Sequence, residues 1–369
     1  MKYYKLNDLC TDIVDCPHTT PDWKNEGIRV VRNFNLKDGN LDFTDGYFVD
    51  EVTYLERTKR AIPEEGDIII SREAPMGVVG IVPKGLKCCL GQRLVLLKVN
   101  KEKCDPYYLL NTLMSSFVQT QFKRADATGS IVSNLCIPDL KEIIIPVIES
   151  GQKDVARLLE IINKKQLINN AINDNLEQQI KTIFTFQFLQ NANTEWKQQS
   201  LAELSEMYQP KTISGKDLIA DGNYFVYGAN GIIGKYNQYN HSESEIAVAC
   251  RGASCGSIQM TLPFSWITGN AMVVKPHSDF PYREYLYYYL LAKNPNYLCS
   301  GSAQPQLTRE NLTLYSLKVP STTELNAFES YAGKVRKIII KNQQENIELS
   351  TLRDWLLPML MNGQATISD

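Results

Sequence analysis

The chain has 369 residues, of which 43% are hydrophobic and 22% are charged, and its formal net charge is −2 at pH 7. These values are typical of a globular protein with two or three domains. They exclude a protein that binds nucleic acid through an overall excess of positive charge, whereas local basic patches remain compatible with them.

Signals for export, membrane insertion and metal binding are not evident. The N-terminal stretch MKYYKLNDLC lacks the apolar core of a signal peptide, and no apolar run approaches the ~20 residues that cross a bilayer. The nine cysteines include no Cys-x-x-Cys pair, so we predict reduced thiols, because disulfide frameworks are typical of small secreted chains. The three histidines show no zinc-finger spacing, so no metal site is expected. We therefore expect a cytoplasmic protein.

From its N-terminus, the chain is predicted to form a mixed α/β domain over residues 1–150. A helix is predicted to begin at Asp105-Pro106, where Asp caps the first turn and Pro occupies the first helical position. Strands are indicated where short apolar runs lie between turn residues. These runs occupy residues 27–36, 66–71, 77–82, 93–99 and 142–148.

A long helix is predicted next, over about 152–188 within a spacer segment 151–190. The helical stretch contains neither Pro nor Gly. Its apolar residues recur at three- and four-residue steps or at heptad sums, which indicates one apolar stripe. These residues are Val155, Leu158, Ile162, Ile172, Leu176 and Ile183.

The second half of the chain repeats this order. Residues 191–321 are predicted to form a second mixed domain, and a second long helix is predicted over about 323–361 within 322–363, before a tail of 364–369. Pro358 is expected to kink or fray its last turns. Strands are indicated at 224–228, 245–252, 266–275 and 314–320, with a helix at 281–294. The apolar stripe of the long helix consists of Leu325, Phe328, Val335, Ile339, Leu349, Leu352 and Leu356.

Two related phrases support a tandem repeat. TGSIVSNLCIPDL (128–140) and SGSAQPQLTRENL (300–312) share Gly, Ser, Leu and Leu at positions 172 residues apart. The predicted fold class is therefore α+β, with two mixed α/β domains in tandem, each followed by a long helix. Helices of roughly 50 Å with a narrow stripe usually pair, so we predict an antiparallel coiled coil with pseudo-two-fold symmetry. The alternative is a helix lying on its own domain.

Both long helices have amide-rich midsections, which an antiparallel pair would bring face to face. Buried amides at such positions fix the register of paired helices at some cost in stability. The amides are Asn169, Asn170 and Asn173 in the first helix and Asn342, Gln343, Gln344 and Asn346 in the second.

Motifs of enzymes are incomplete throughout. NPNY (294–297) lacks the second proline of the adenine methyltransferase signature and is predicted to be a helix-ending turn. The glycines of YGANGIIGKY (227–236) have neither dinucleotide nor P-loop spacing. TPDWK (20–24) lacks the second half of a nuclease motif. His18, His241 and His277 have no nucleophile nearby and are predicted to lie on the surface or in turns. No catalytic residue is predicted.

Several polar loops suit the binding of phosphates or base edges. ACRGASCGS (249–257) places Arg251 among small residues, so that backbone N–H groups and a guanidinium can approach a phosphate. ISREAPMGVVG (70–80), with Arg72 and Gly77, looks like its counterpart. YGANGIIGKYNQYN and SGSAQPQL offer further amides, and Gln can recognise adenine in a major groove. Two similar but unequal surfaces suit duplex DNA with two different half-sites.

Together these features resemble the specificity (S) subunit of a Type I restriction-modification system, over essentially the whole length. The resemblance implies a non-catalytic chain, in which each target-recognition domain recognises one half of a bipartite DNA sequence and the helices measure the spacer. The phrases that carry it are DCPHTTP (15–21), YGANGIIGKY (227–236), ACRGASCGS (249–257), SGSAQPQLTRENL (300–312) and LSTLRDWLLPMLMNG (349–363).

The resemblance also implies partners and sites. Two methyltransferase subunits would dock on the helices, bind S-adenosylmethionine and methylate adenine, and restriction subunits, where present, would use ATP and Mg. The chain itself would bind no cofactor. The expected DNA contacts are Arg72, Gln92, Arg93, Ser130, Asn134, Asn230, Lys235, Arg251, Ser254, Gln304 and Gln306. The expected subunit contacts are Leu158, Ile162, Leu176, Ile339, Leu352 and Leu356.

Two other functions remain open at this point. A single-chain adenine methyltransferase or nuclease would need a strand, a Gly-rich turn and a helix for its cofactor, and the sequence offers none. An assembly scaffold would bind protein rather than DNA through its repeats. Substitution of Arg251 or Arg72 with alanine distinguishes a scaffold from a DNA-binding protein. Loss of DNA binding with intact subunit assembly would exclude the scaffold.

Overall fold

The structure is a computed structural model that describes residues 1–44, 46–73, 75–126, 134–149, 151–219, 222–301 and 305–361. The chain divides into two compact units. The first comprises the residues up to Ile168 together with those from Glu345 onward, and the second is Asn169–Gln344. This division passes through both long helices, so the predicted domain boundaries at residues 150, 190 and 321 stay predictions.

The first unit is mixed α+β. Its strands are β1 (Lys2–Lys5), β2 (Cys10–Asp15), β3 (Ile28–Val31), β4 (Leu36–Lys37), β5 (Asn40–Leu41), β6 (Tyr47–Val49), β7 (Ile68–Ser71), β8 (Val79–Ile81), β9 (Cys88–Leu90), β10 (Leu94–Val99) and β11 (Ile144–Val147). Its helices are α1 (Leu6–Leu9), α2 (Glu51–Arg57), α3 (Pro106–Met114), α4 (Ser116–Asp126), α5 (Ile137–Glu142) and the first part of α6 (Gln152–Phe184). The Asp105 carboxylate accepts from the backbone of α3, which confirms the predicted helix start.

A four-stranded antiparallel sheet in the order β2-β10-β7-β8 is central to this unit. Alternate side chains of a strand point to opposite faces, and β7 shows the result. Ile68 and Ile70 pack with Tyr108 of α3 in one buried cluster, whereas Ile69 packs with Leu94 in a second. Both faces of the sheet are therefore covered. A three-stranded sheet, β6-β3-β9, has β3 and β9 in parallel.

The second unit has corresponding elements. Its strands are β12 (Lys197–Ser200), β13 (Ser205–Tyr208), β14 (Tyr224–Gly228), β15 (Gly231–Tyr236), β16 (Ile246–Ala249), β17 (Ile258–Met260), β18 (Trp266–Ile267), β19 (Ala271–Pro276) and β20 (Ser316–Val319). Its helices are α7 (Leu201–Leu204), α8 (Arg283–Ala292), α9 (Arg309–Thr313) and part of α10 (Thr322–Met361), while α6 continues into a π-helical turn, Thr185–Gln190.

The two units repeat one topology. The second unit has a four-stranded sheet β13-β19-β16-β17, a three-stranded sheet β15-β14-β18 with β14 and β18 in parallel, and a pair β12-β20 that matches β1-β11. The predicted internal repeat is confirmed, but its period is not constant. Lys2 and Lys197 begin matching strands 195 positions apart, whereas Ile144 and Ser316 are 172 apart. The first unit is longer because it contains β4, β5 and α2, which have no counterpart among the described elements of the second.

The leucines shared by the two repeated phrases have the same structural role. The backbone N–H of Leu135 donates to the Arg72 carbonyl at 3.0 Å, and that of Leu307 donates to the Cys250 carbonyl at 2.9 Å. Both leucines are buried. The phrase thus recurs because, in each unit, its leucine forms the same backbone hydrogen bond with the residue that follows β7 or β16.

Within each unit, α6 and α10 run in opposite directions. In the first unit, Leu159 shares a buried cluster with Leu357, and Gln166 donates to the Asn346 carbonyl at 2.9 Å. In the second unit, the Asn342 amide donates to Asn173 Oδ1 at 2.8 Å. The predicted facing of the two amide-rich midsections is confirmed for this pair.

Three predictions from the sequence need correction. Cys255 and Cys299 form a disulfide, so the expectation of reduced thiols is wrong for this pair, because the fold brings together two cysteines 44 residues apart. The segment 266–275 forms two strands, β18 and β19, rather than one. His241 is buried rather than superficial, and its ring nitrogens contact the Tyr208 hydroxyl at 3.0 Å and Asn240 Oδ1 at 2.6 Å.

Candidate nucleic-acid interface

The segment DCPHTTP of the first unit is held in place by Arg57, the last residue of α2. Its buried guanidinium donates to the carbonyl oxygens of Leu90 at 2.9 Å, Thr19 at 2.9 Å and Pro17 at 3.4 Å. Three backbone acceptors in fixed positions suit the fork of donors that arginine presents. Arg57 therefore fixes the path of this segment beside the end of β9.

Arg72 closes the end of β7 on the other side. Its Nη1 donates to both carboxylate oxygens of Asp15 at 3.0 and 3.1 Å, and its Nε donates to the Leu135 carbonyl at 3.1 Å. Its Nη2 lies 3.4 Å from Asn134 Oδ1. The side chain is 14% exposed. Arg72 thus joins the end of β2 to the loop before α5, and most of its donors are already used within the chain.

Gln92 and Arg93 lie on the turn before β10. The Gln92 amide donates to the His18 carbonyl and, at 3.2 Å, to Thr20 Oγ1. Arg93 has a φ of 65°, its side chain is 58% exposed, and its Nε lies 3.3 Å from Glu73 Oε2. The Arg93 carbonyl accepts from the backbone N–H of Arg72 at 2.9 Å. The structure thus gathers Arg72, Gln92, Arg93 and Asn134 at one end of the central sheet.

An aromatic cleft, defined by Trp23, Phe34 and Tyr47, borders this group. It has a volume of about 580 Å³, and Arg32, Gln92 and Arg93 also line it. Trp23 and Tyr47 are in edge contact with ring centroids 4.7 Å apart, and Phe34 lies 5.8 Å from Tyr47. This cleft was not predicted from the sequence. Pairing of β3 with β6 brings its members together from separate segments, and the adjacent basic and aromatic residues of RNF (32–34) were the available signal.

In the second unit, Arg251 and Gln306 are brought together as bridged backbone partners. The Gly252 N–H donates to the Pro305 carbonyl at 3.1 Å, so the loop after β16 lies against the segment before α9. Arg251 is exposed and Ser254 is half-buried. Gly256 has a φ of 85°, and a Cβ there would lie 2.7 Å from Asn296 Cα. Only glycine fits this turn.

The expected correspondence of Arg72 with Arg251 is wrong by one residue. The Arg72 N–H donates to the carbonyl of Arg93, and the Cys250 N–H donates to the carbonyl of Asn270 in the same way. The structural partner of Arg72 is therefore Cys250. Since Arg251 sits one residue further along, its side chain does not repeat the internal contacts of Arg72.

Asn230 and Lys235 belong to a β-hairpin, not to a long loop. Asn230 is exposed in the turn between β14 and β15. Lys235 pairs with Phe225 across the two strands, and its Nζ lies 5.6 Å from the Phe225 ring centroid. In the first unit Arg29 and Phe48 form the corresponding cross-strand pair with the cation on the other strand, 5.4 Å from the ring. Two of the predicted residues, Ser130 and Gln304, lie outside the described residues.

Among the described residues, no group of three or more His, Cys, Asp or Glu side chains could hold a metal ion. Over those residues, no helix has both the length and the apolar content of a membrane span.

Comparison with known proteins relates the chain to one protein family. A family model described as "Type I restriction modification DNA specificity domain" matches residues 1–178 and again residues 193–349. The chain belongs to this family. The double match agrees with the repeated topology of the two units, and it covers most of the chain.

The proteins compared with this chain are distant from it in sequence. The Type I restriction enzyme EcoprrI specificity subunit of Escherichia coli is 23% identical over 274 residues, which cover 70% of this chain and 68% of that protein. The putative type I restriction enzyme MjaX specificity subunit of Methanocaldococcus jannaschii is 22% identical, with 92% and 88% covered. The crystal structure of the Type-I restriction-modification system S subunit from M. genitalium has a similar fold, with a TM-score of 0.58, 18% identity and coverage of 96% and 94%.

Most of the apolar residues expected to contact other subunits are turned inward in this specificity protein. Ile162 and Ile339 are 4% and 2% exposed, so they stabilise the units in which they lie and offer no surface to a partner. Leu158 and Leu356 are half-buried against the core of the first unit, and Leu176 against that of the second. Of the six, Leu352 is the most accessible, at 43%. Helix periodicity identified the apolar stripe, and the stripe serves the chain's own core.

Proposed function

We propose that this chain is the DNA-recognition subunit of a Type I restriction-modification complex, in which each domain recognises one half of a bipartite target. The observation behind this proposal is the repeated placement of polar loops. In both units, Arg and Gln side chains lie at the same end of the central sheet. They follow β7 and precede β10 in the first unit, and in the second they lie beside the end of β16, where Arg251 and Gln306 are bridged. Because the side chains differ between the units, the two half-sites differ as well.

Spacing of the half-sites is assigned to the long helices. We propose that α6 and α10 form an antiparallel coiled coil that relates the domains by a pseudo-two-fold axis. The Asn173–Asn342 hydrogen bond in one unit and the Gln166–Asn346 hydrogen bond in the other support this arrangement. Polar bonds between paired helices fix one register of those helices, and a fixed register gives a fixed spacer.

Docking of two methyltransferase subunits is assigned to the outer surfaces of these helices. Large apolar side chains on a helix surface in water are typical of a protein interface. Those of α6 and α10 are Ile161, Leu167, Ile168, Ile172, Ile338, Leu352 and Trp355, each at least 41% exposed. S-adenosylmethionine would then bind to the methyltransferase subunits, and ATP and Mg to restriction subunits, while this chain performs no catalysis. The DNA that this chain recognises would be that of its own cell, in the cytoplasm.

The test is a map of modified bases in the source genome, with the gene intact and deleted. We expect N6-methyladenine to disappear from one split, asymmetric motif on deletion. Replacement of residues 1–150 by the same domain of a relative is expected to change one half of the motif and leave the spacer and the other half intact. Modification that does not depend on the gene would contradict the proposal and favour an assembly scaffold, and methyl transfer by the purified chain alone would favour a single-chain methyltransferase.

A further inference from the structure

The aromatic cleft of the first unit is chemically unlike the loops around it. Its lining includes two arginines and, among the described residues, no carboxylate. Its walls are the partly exposed rings of Trp23, at 38%, and Phe34, at 42%. A surface with an arginine fixed among rings and an amide beside it suits the edge of a base better than it suits a peptide or an anion alone.

Arg32 is held inside the cleft by rings rather than by acids. Its guanidinium carbon lies 4.6 Å from the Tyr47 ring centroid, 5.2 Å from that of Phe34 and 5.5 Å from that of Trp23. Over the described residues, neither a carboxylate nor a hydrogen-bond acceptor is paired with this guanidinium. Stacking leaves the in-plane N–H donors of an arginine available, and it lowers the entropy lost when they bind a ligand.

The backbone around Arg32 is fixed as well. The Arg32 N–H donates to Asn35 Oδ1 at 2.9 Å, and the Asn33 amide donates to the Glu73 carbonyl at 2.6 Å. Across the cleft, Gln92 uses its amide nitrogen for the His18 carbonyl and Thr20, which leaves its Oε1 as an acceptor. The cleft thus offers a fork of donors from Arg32 and one acceptor from Gln92.

We infer that this cleft recognises one G·C base pair in the half-site of the first domain, an inference that rests on the proposed function. Arg32 donates its two N–H groups to O6 and N7 of guanine, and Gln92 Oε1 accepts from the N4 amine of the paired cytosine. Guanine presents two acceptors side by side in the major groove and cytosine presents a donor, a pattern that no other base pair repeats in that order. Trp23 and Phe34 exclude water from these hydrogen bonds.

Arg72, which the sequence predicted to contact DNA, is less suited to recognising a base than Arg32. Arg72 donates to Asp15 and to the Leu135 carbonyl, so recognition of a base would require these bonds to break. Among the described residues, Arg32 has no such bonds to exchange. The structure therefore assigns base specificity to Arg32 and a bracing role to Arg72.

Arg32→Ala and Arg32→Lys test the assignment in a host that also produces the partner subunits, with the modified-base map as the readout. For Arg32→Ala we expect one guanine of the first half-motif to become degenerate, with a loss of discrimination of roughly tenfold or more. Arg32→Lys is not expected to restore it, because an ammonium group lacks the planar fork. The exposed Arg60 provides a control of equal charge, and Arg60→Ala is expected to leave the motif unchanged.

A second measurement uses the wild-type complex and does not depend on the folding of any variant. Target duplexes carry 7-deazaguanine in turn at each guanine of the first half-site, which removes N7 and leaves Watson–Crick pairing intact. We expect affinity to fall at one guanine by roughly tenfold, as for the loss of one bond of a bidentate contact. No effect at any position, or a first half-motif without a G·C pair, would overturn the inference and leave DNA recognition standing. Absence of any gene-dependent methylation in the wild type would instead contradict the proposed function.

Discussion

Four arginines of the first unit differ in the hydrogen-bond partners of their guanidinium groups. Arg57 and Arg72 have their donors fixed on carbonyl oxygens or a carboxylate of the chain itself, whereas Arg32 and Arg93 face the cleft. In the sequence all four are simply arginines near turns or strand ends. Which of them braces the fold and which is free to bind therefore depends on neighbours that lie far away along the chain.

Arg72→Ala is expected to destabilise the first unit by about 2 kcal/mol or more, because it removes the guanidinium that donates to the part-buried Asp15 carboxylate and to the Leu135 carbonyl. The measurement is thermal or urea unfolding of the full chain, with amide exchange of β7 and β10 to locate the effect. Arg93→Ala is the matched control, and we expect a change within about 0.5 kcal/mol because its ion pair is exposed. Weaker DNA binding at unchanged stability would contradict the bracing role and support a direct DNA contact.

Glu329 gives a second prediction for a single residue, concerning pH. Burial raises the pKa of the Glu329 carboxyl from 4.5 to about 7. The backbone N–H groups of Glu284 and Tyr285 donate to this carboxyl and lower its pKa, whereas the nearby Glu284 carboxylate raises it further. Since the pKa is higher in the folded chain, folding favours the protonated carboxyl. The stability from this group is present below about pH 4.5 and is lost as the pH rises through about 7.

Glu329→Gln is therefore expected to leave stability unchanged near pH 5 and to stabilise the chain at pH 8.5, by up to about 3 kcal/mol. Glutamine keeps an oxygen acceptor for the two N–H groups and has no charge to bury. Urea unfolding at pH 5, 7 and 8.5 measures the effect, and Glu348→Gln on the exposed face of the same helix is the control. A difference between Glu329→Gln and wild type that does not grow with pH would contradict this account.

At the scale of elements, the paired helices combine apolar packing with polar links. In the second unit, Arg336 of α10 is 5% exposed and donates to Glu177 of α6, to Glu284 of α8 at 3.2 Å and to the Tyr288 hydroxyl at 3.0 Å. Burial of a charge is costly unless its partners satisfy it. One arginine thus holds three helices in a single arrangement.

The Asn173–Asn342 pair can be tested with a double-mutant cycle. Asn173→Leu or Asn342→Leu alone is expected to destabilise the second unit by about 1–3 kcal/mol, because the remaining amide is left without its partner. The double variant is expected to recover most of this loss, with a coupling of about 1 kcal/mol or more. Thermal unfolding of the full chain measures all four proteins. Strict additivity of the two single effects would show that the amides do not act as a pair.

Elements with a strong local pattern were predictable from the sequence. The long helices, α3, α8 and the apolar strands β7, β10 and β16 follow from periodicity, capping and uninterrupted apolar runs. β1, α1, β2 and β6 were not predicted, because they are short and half polar, and their pairing partners are distant. The aromatic cleft was not predictable for the same reason, since Trp23, Arg32 and Tyr47 meet only when β3 pairs with β6. The single predicted period failed where the first unit has extra elements.

At the scale of the whole molecule, the two units share some structural elements and differ in others. The two units share the four-stranded sheet, the hydrogen-bonded leucines Leu135 and Leu307, and the short helices α5 and α9 that follow these leucines. The first unit differs by adding β4 and β5, which lie against the four-stranded sheet, and α2, which lies against β9 of the three-stranded sheet, and by the aromatic cleft. The proposed recognition surfaces lie at one end of the shared four-stranded sheet, and in the first unit they extend to the added aromatic cleft.

The pairing of β1 with β11 has a consequence for how such a chain can change. Lys2 lies opposite Val147, and in the second unit Lys197 lies opposite Val319, so each unit's first and last strands are neighbours, about 5 Å apart. The polypeptide leaves each domain beside the point at which it entered and continues directly into a long helix. We therefore expect that each domain can be exchanged as a cassette, or opened at a new pair of ends by circular permutation, while α6 and α10 keep their contacts with each other.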